Sequence, residues 1–266
     1  MQKQHGFAEV NGTRLYYEVA GSEHPVVLIH GLTLDTQMWD DQFEIFAQHY
    51  QVIRYDVRGF GKSALPTGES YSHADDLMAL MEYLGVAHAY ILGLAMGGRI
   101  AIDFVVAYPD AADALIPVDA NVGGFQLSQE FATRLNSLSS EAKESGVQAA
   151  RELWLDDPIF KPAQEKPDVA SRLVQIVSDY SGWRWINNDP VCSLDPPAIQ
   201  RLDKIRAPTL IIIGERDLPD FHNIADTLQQ RITNARKVVM PGVGHMSNME
   251  DPGRFNETVL SFLAEL

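Results

Sequence analysis

A glycine-flanked turn, GLAMGG at residues 93–98, limits the folds that this chain can adopt more than any other stretch. The apolar residues 89–92 before it indicate a buried strand, and residues 99–106 after it have the spacing of a helix with one apolar face. Such a turn needs glycine because it is tight and neighbouring backbone passes close to it. It places the side chain of Ala95 at the carboxyl end of the strand, in front of the helix N-terminus. An ordinary turn of small residues has the same pattern, so its interpretation depends on the rest of the chain.

Strand and helix patterns alternate along most of the remaining sequence. The pair Asn11-Gly12 between two short alternating segments predicts a β-hairpin at the start. Further strands are predicted at residues 25–30, 51–56, 114–118, 208–214 and 237–240, and helices at residues 36–50, 72–84, 221–230 and 252–266. This alternation predicts an α/β protein with a mostly parallel central sheet of about eight strands, covered by helices on both faces.

Residues 121–203 interrupt this alternation. Their pattern is mostly helical, and prolines at positions 158, 162, 167, 190, 196 and 197 break it. We therefore predict a helical cap at residues 121–203, inserted into a core formed by residues 1–120 and 204–266.

Composition narrows the possible partners. The 266 residues fit one large domain with an insertion, and the net charge of −15 argues against nucleic acids and anionic membrane surfaces. No apolar run is long enough to span a bilayer.

The single cysteine, Cys192, excludes an internal disulfide, suits a reducing cytoplasm and is expected to be an inert thiol. No paired carboxylates have a histidine at ligand spacing, so we expect no metal. We also expect no cofactor, and a homodimer is possible.

Four signals follow predicted strands. They are residues 30–32 (HGL), the turn at Ala95, residues 214–217 (GERD) and residues 242–245 (GVGH). The carboxyl ends of parallel strands meet at one edge of an open α/β sheet, where such sheets place their binding sites. We expect these four segments to converge at that edge.

These signals and their order resemble the α/β-hydrolase-fold superfamily, and the resemblance covers nearly the whole chain. GLAMGG is similar to the GLSMGG of enol-lactonase-like and perhydrolase-like esterases, and the loop at residues 56–63 (DVRGFGKS) is a second mark of the family. The resemblance identifies the turn as a nucleophile elbow, G-x-S-x-G, in which Ala95 stands where the family has serine.

The resemblance also implies roles for polar residues. His245 is predicted to be the general base, and Asp217, which lies 28 positions before it, the acid that orients the imidazole. Asp119 is the alternative acid, because some members of the family carry the acid after the strand that follows the elbow helix, and Asp220 is a weaker candidate. His30 is interpreted as a structural residue that holds the neighbouring loop.

Two backbone N–H groups are implied as the oxyanion hole, those of Leu32 and Met96. Because neither side chain takes part, the hole survives the loss of the serine. Gly31 is predicted to lie against the substrate. Trp183 and Trp185 either line the substrate pocket or pack the cap.

Alanine has no nucleophile, so acyl-enzyme chemistry cannot start at residue 95 in this sequence. The interpretation that we favour is a serine hydrolase for small carboxylic esters or lactones with an apolar acyl or aromatic part, with serine replaced by alanine in this copy, which is then inactive. One alternative is a naturally serine-free relative, either a ligand-binding or receptor-like protein or an enzyme that uses His245 directly. Another is a carbon–carbon bond hydrolase or a thioesterase on the same scaffold.

Overall fold

The computed structural model describes residues 3–266. The strands are β1 (Lys3–Val10), β2 (Thr13–Ala20), β3 (Pro25–Ile29), β4 (Gln51–Tyr55), β5 (Ala89–Leu94), β6 (Ala112–Val118), β7 (Thr209–Gly214) and β8 (Ala235–Met240). The α-helices are α1 (Asp40–Phe46), α2 (His73–Tyr83), α3 (Met96–Ala107), α4 (Gln129–Glu144), α5 (Val147–Leu155), α6 (Lys161–Gln164), α7 (Pro167–Asp179), α8 (Trp183–Ile186), α9 (Pro219–Arg231), α10 (Ser247–Glu250) and α11 (Pro252–Leu263). Short 3₁₀ turns cover Thr36–Trp39, Pro109–Ala111, Pro158–Phe160 and Ala198–Lys204.

All eight strands join in one sheet, in the order β1-β2-β4-β3-β5-β6-β7-β8. The pairs β1–β2 and β2–β4 are antiparallel, and every other neighbouring pair is parallel. The central strand β5 is buried along its whole length, as expected for a strand that is covered on both faces. The predicted α/β fold with a mostly parallel sheet of eight strands is confirmed.

The predicted hairpin is present at the first edge of the sheet. Val10 pairs with Thr13, and the two residues between them, Asn11 and Gly12, have φ values of 45° and 67°. Positive φ at both central positions is the type I′ turn that suits the twist of a two-residue hairpin, which explains the choice of Asn-Gly.

The predicted cap of the helix at residues 72–84 is present. The predicted helix at residues 72–84 is α2, and the Ser72 hydroxyl accepts a hydrogen bond from the Asp75 N–H at 3.3 Å. The helix predicted at residues 36–50 is shorter at both ends: a 3₁₀ turn at Thr36–Trp39 precedes α1, and α1 ends at Phe46.

The parallel strands β3, β5, β7 and β8 point in one direction, so the loops that follow them share one edge of the sheet. The helices α4 to α8 are inserted between β6 and β7. Among residues 3–266, no helix combines the length and the apolar character that a membrane crossing requires.

Candidate active site

The turn between β5 and α3 holds Ala95 in a strained backbone conformation. Its φ and ψ are 53° and −109°, outside the regions that residues with a side chain normally adopt. Three backbone hydrogen bonds hold Ala95 in place. Its N–H donates to the Val118 carbonyl at 3.0 Å. Its carbonyl accepts from the N–H groups of Arg99 and Asn121 at 3.1 Å each. The surrounding structure therefore imposes the conformation on Ala95.

The glycines of the turn are required by close backbone contacts. A Cβ atom on Gly93 would lie 2.1 Å from the carbonyl oxygen of Gly97, and one on Gly97 would lie 2.1 Å from the carbonyl oxygen of Ile29. No side chain fits at either position, so α3 packs directly against the ends of β3 and β5. This contact brings the helix N-terminus, which begins at Met96, to the edge of the sheet.

The side chains of His245 and Asp217 form a hydrogen-bonded pair, and His245 lines the same cavity as Ala95. His245 Nδ1 and Asp217 Oδ2 share a hydrogen bond of 2.9 Å, and their side chains are 5% and 0% exposed. The other carboxylate oxygen of Asp217 accepts from the Leu218 N–H at 2.7 Å, and the Phe221 ring packs on the imidazole with 4.3 Å between centroids. The imidazole is thus fixed on two sides, with Nε2 directed away from the carboxylate.

Asp119 and Asp220 have other partners. Asp119 accepts hydrogen bonds from the Gly214 N–H at 2.7 Å and the Ser247 hydroxyl at 2.6 Å, so it connects the loops that carry Asp217 and His245. Burial, reinforced by the nearby charge of Asp217, raises the pKa of the Asp119 carboxyl well above its usual range.

The Asp220 carboxylate accepts from the backbone N–H and the hydroxyl of Ser128, which links α9 to the start of α4. Of the three acids considered from the sequence, Asp217 is therefore the one that is hydrogen-bonded to His245.

One cavity brings together five of the residues singled out in the sequence. Its lining includes Gly31, Leu32, Ala95, Met96 and His245, and its volume is about 180 Å³. A concave, mostly apolar cavity of this kind is suited to binding a small organic group. Met96 is the first residue of α3, and its N–H therefore has no carbonyl partner within the helix.

The cavity wall also contains residues from the inserted helices. They are mainly apolar: Phe131, Leu135, Trp154, Ile159 and Phe160. The Trp154 indole N–H donates to the Thr33 hydroxyl at 2.8 Å, which ties α5 to the loop after β3. Sequence reasoning overlooked Trp154, because its spacing is that of any packing residue on an amphipathic helix.

Trp183 and Trp185 lie outside the lining of this cavity. They belong to a short helix, α8, in which residues two apart point in different directions. Trp185 packs edge-on against Tyr180, with 5.0 Å between ring centroids. The residue between the two tryptophans, Arg184, lines the cavity instead, and its Nη1 lies 3.2 Å from the sulfur of Met96.

A second cavity of about 180 Å³ adjoins the first and shares Met96, Arg99 and Arg184 with it. Both arginines have partners: Arg99 donates to the Ser193 hydroxyl at 2.8 Å, and Arg184 lies 2.8 Å from Asp189. His73 also lines this cavity. Burial, with the charges of Arg184, Arg58 and Arg99, lowers the His73 pKa well below its usual value, so this imidazole is neutral.

His30 supports the loop that follows β3. The Val57 N–H donates to His30 Nε2 at 2.9 Å, so Nδ1 carries the proton and donates to the Gly31 carbonyl at 2.8 Å. Burial lowers the His30 pKa, which favours this neutral form. In the DVRGFGKS loop, Asp56 accepts from the N–H groups of Thr36 and Lys62 at 2.8 Å and 2.7 Å. These bonds hold the loop that carries Leu32.

With this geometry in place, comparison with known proteins places the chain in a family. Residues 24–252 match the model of the family described as the alpha/beta hydrolase fold. The chain belongs to the α/β-hydrolase fold family. The resemblance drawn from GLAMGG and from the order of the four segments is confirmed.

Several proteins similar to this chain have the names of hydrolases. A protein of Azorhizobium caulinodans named "Putative carbamate hydrolase RutD" is 28% identical over 264 residues, which is 98% of each chain. The crystal structure of the enol-lactonase from Burkholderia xenovorans LB400 has a TM-score of 0.80 and 26% identity, covering 97% of this chain and 100% of that one. A thermophilic esterase from Thermogutta terrifontis shares the fold, with a TM-score of 0.81, 24% identity and 98% coverage of both chains. These comparisons support a hydrolase.

Proposed function

We propose that this site hydrolyses small carboxylic esters or lactones when residue 95 is serine, and that the chain with Ala95 binds such substrates without forming an acyl-enzyme. The hydrogen bond between His245 and Asp217, 2.9 Å long, carries the proposal because His245 lines the same cavity as Ala95. An oriented imidazole beside an elbow position is the arrangement that activates a hydroxyl nucleophile.

In the serine form the reaction has two halves. His245 Nε2 takes the proton of the serine hydroxyl while the oxygen attacks the substrate carbonyl, and the N–H groups of Leu32 and Met96 stabilise the resulting oxyanion. The intermediate expels the alcohol, which receives the proton from His245. Water, deprotonated by His245, then attacks the acyl-serine, and the carboxylic acid leaves as the serine regains its proton. Asp217 holds the imidazole tautomer and stabilises the imidazolium.

The backbone at Ala95 supports serine as the residue at this position in the active form of the site. A strained conformation costs about 1–3 kcal/mol and persists where function needs it. The turn keeps this conformation with alanine, together with the His245–Asp217 pair and the cavity. A turn that only connects β5 to α3 needs none of these features.

The cavity wall supports the substrate class. Phe131, Leu135, Ile159 and Phe160 come from residues 121–203, which we propose act as a cap over the site, and they favour an apolar acyl or aromatic group. The names of the relatives, carbamate hydrolase and enol-lactonase, both describe cleavage next to a carbonyl group. This agrees with a carbonyl carbon placed beside residue 95.

The Ala95→Ser variant tests the proposal. We expect turnover of 4-nitrophenyl acetate and butyrate to rise by about a million-fold over the alanine form, which is the cost of removing the serine from a triad. Mass spectrometry after a fluorophosphonate probe should find an adduct on residue 95. The matched control is the double variant Ala95→Ser, His245→Ala, which should return to the alanine level. No adduct and no gain would contradict the proposal.

The hydrogen bond between His245 and Asp217 is present although residue 95 is alanine, and this favours a second candidate function. His245, still oriented by Asp217, can deprotonate water or an acidic substrate directly, without a covalent intermediate. In that case the chain with Ala95 itself turns over its substrate. The His245→Ala variant then loses this activity, and the Ala95→Ser variant has no higher activity than the unsubstituted chain. A purely ligand-binding protein would bind tightly and show no dependence of any turnover on His245.

A further inference from the structure

A cluster of metal-ligating side chains lies at the edge of the sheet opposite to the cavity. His24 comes directly before β3, His88 directly before β5, and Asp113 is the second residue of β6. These three strands are adjacent and parallel, so their amino ends meet at one place. The sequence predicts no metal, because positions 24, 88 and 113 do not have the spacing of metal ligands.

The ligand atoms of these three residues converge. His24 Nε2 lies 3.0 Å from Asp113 Oδ2, and His88 Nδ1 contacts the same oxygen. One ligand atom from each residue lies within 4.8 Å of the other two. A Zn²⁺ ion with bonds of about 2.0–2.2 Å separates tetrahedral ligands by roughly 3.3–3.6 Å, so small side-chain rotations would admit it.

A buried nitrogen in the cluster lacks a hydrogen bond. His24 Nε2 is inaccessible to solvent and makes no hydrogen bond among the described residues, although Asp113 Oδ2 lies 3.0 Å away. The ring cannot turn away easily, since it packs on Tyr90 with 4.1 Å between centroids. A buried polar atom without a partner is costly, and coordination of a cation by its lone pair would remove that cost.

We propose that His24, His88 and Asp113 bind one Zn²⁺ ion, with water as the fourth ligand. Two neutral imidazoles and a carboxylate are a donor set that suits Zn²⁺ rather than Mg²⁺ or Ca²⁺, which prefer oxygen ligands. Solvent reaches the site from the side of His88 and Asp113, whose side chains are 54% and 38% exposed. The bound ion would connect the starts of three central strands, and it stands apart from the chemistry at the carboxyl edge.

Zn²⁺ titration of the metal-stripped full chain tests the site. Isothermal titration calorimetry at pH 7.5 should show one Zn²⁺ bound per chain, and the same Zn²⁺ should raise the melting temperature, while Mg²⁺ at equal concentration should not. His88→Ala and Asp113→Asn should each weaken Zn²⁺ binding at least tenfold. The matched control is His5→Ala, which removes an exposed histidine from β1 and should leave binding unchanged.

Two outcomes would overturn the site. One is the absence of stoichiometric Zn²⁺ binding to the unsubstituted chain, which would leave the cluster as a histidine–aspartate ion pair. The other is equal binding by the unsubstituted chain, His5→Ala, His88→Ala and Asp113→Asn, which would mean scattered surface sites. Melting curves in the absence of Zn²⁺ establish that the variants are folded, so a loss of binding is not a loss of structure.

Discussion

Replacing Ala95 with glycine should reveal the strain stored at the elbow. Ala95 has φ 53° and ψ −109°, and a residue with a Cβ atom in such a conformation loses about 1–3 kcal/mol. Glycine adopts positive φ without this cost. The substitution should therefore recover most of that energy in the folded state.

Two smaller effects oppose the gain. Removing the buried methyl group of Ala95 loses about 0.8 kcal/mol of hydrophobic stabilisation. The greater freedom of glycine in the unfolded chain costs about 0.4–1 kcal/mol. The expected result for Ala95→Gly is a change in the free energy of unfolding between a loss of about 0.8 kcal/mol and a gain of about 1.8 kcal/mol.

Ala101→Gly is the matched control, because Ala101 is fully buried in the ordinary helical backbone of α3. It combines the loss of a methyl group with the poor helix propensity of glycine, and should cost about 2 kcal/mol. Urea unfolding followed by tryptophan fluorescence measures both variants against the unsubstituted chain. Equal destabilisation by Ala95→Gly and Ala101→Gly would refute the claim that the elbow is strained.

Three further predictions concern packing and charge. Gly97→Ala should lower the free energy of unfolding by at least about 2 kcal/mol in urea, because its Cβ would lie 2.1 Å from the Ile29 carbonyl oxygen. Burial raises the pKa of the Asp103 carboxyl to about 6, so this carboxyl stays protonated to a higher pH in the folded chain than in the unfolded chain. The melting temperature should therefore fall as pH rises from about 4 to 6, and Asp103→Asn should flatten that decline; an unchanged slope would contradict the assignment. Asp76→Asn should cost about 3–5 kcal/mol in urea unfolding, because it leaves the charge of Arg58, whose side chain is 3% exposed, without its carboxylate; a loss below 1 kcal/mol would mean that water reaches Arg58.

Signals that are local in sequence predicted the structure well. The Asn11-Gly12 turn requires only two adjacent residues, and it forms the predicted hairpin. The Gly93 contact with Gly97 lies within the turn, and the glycine spacing is itself a local pattern, so the strand–turn–helix could be predicted. Asp217 and His245 follow neighbouring parallel strands, and the fold brings them to 2.9 Å. Their catalytic roles stay predictions.

Features that depend on distant packing could not be predicted. Trp154 and Arg184 line the cavity because of how the inserted helices lie over the sheet, and no local pattern distinguishes them from Trp183 and Trp185. The cluster of His24, His88 and Asp113 requires knowledge of strand order, since three separate strands supply its members. The boundaries of the cap at 121–203 remain a prediction from pattern alone.

The two outer strands of the sheet, β1 and β8, decide whether it could grow by adding strands from another molecule. An unprotected outer strand is a template for edge-to-edge aggregation, and natural proteins guard it with charge. β8 carries Arg236 and Lys237 side by side, and Arg236 forms an ion pair with Glu265 at 2.9 Å. Pairing a second copy along β8 would bring these cations against their own counterparts. A dimer that continues the sheet along β8 is therefore not expected.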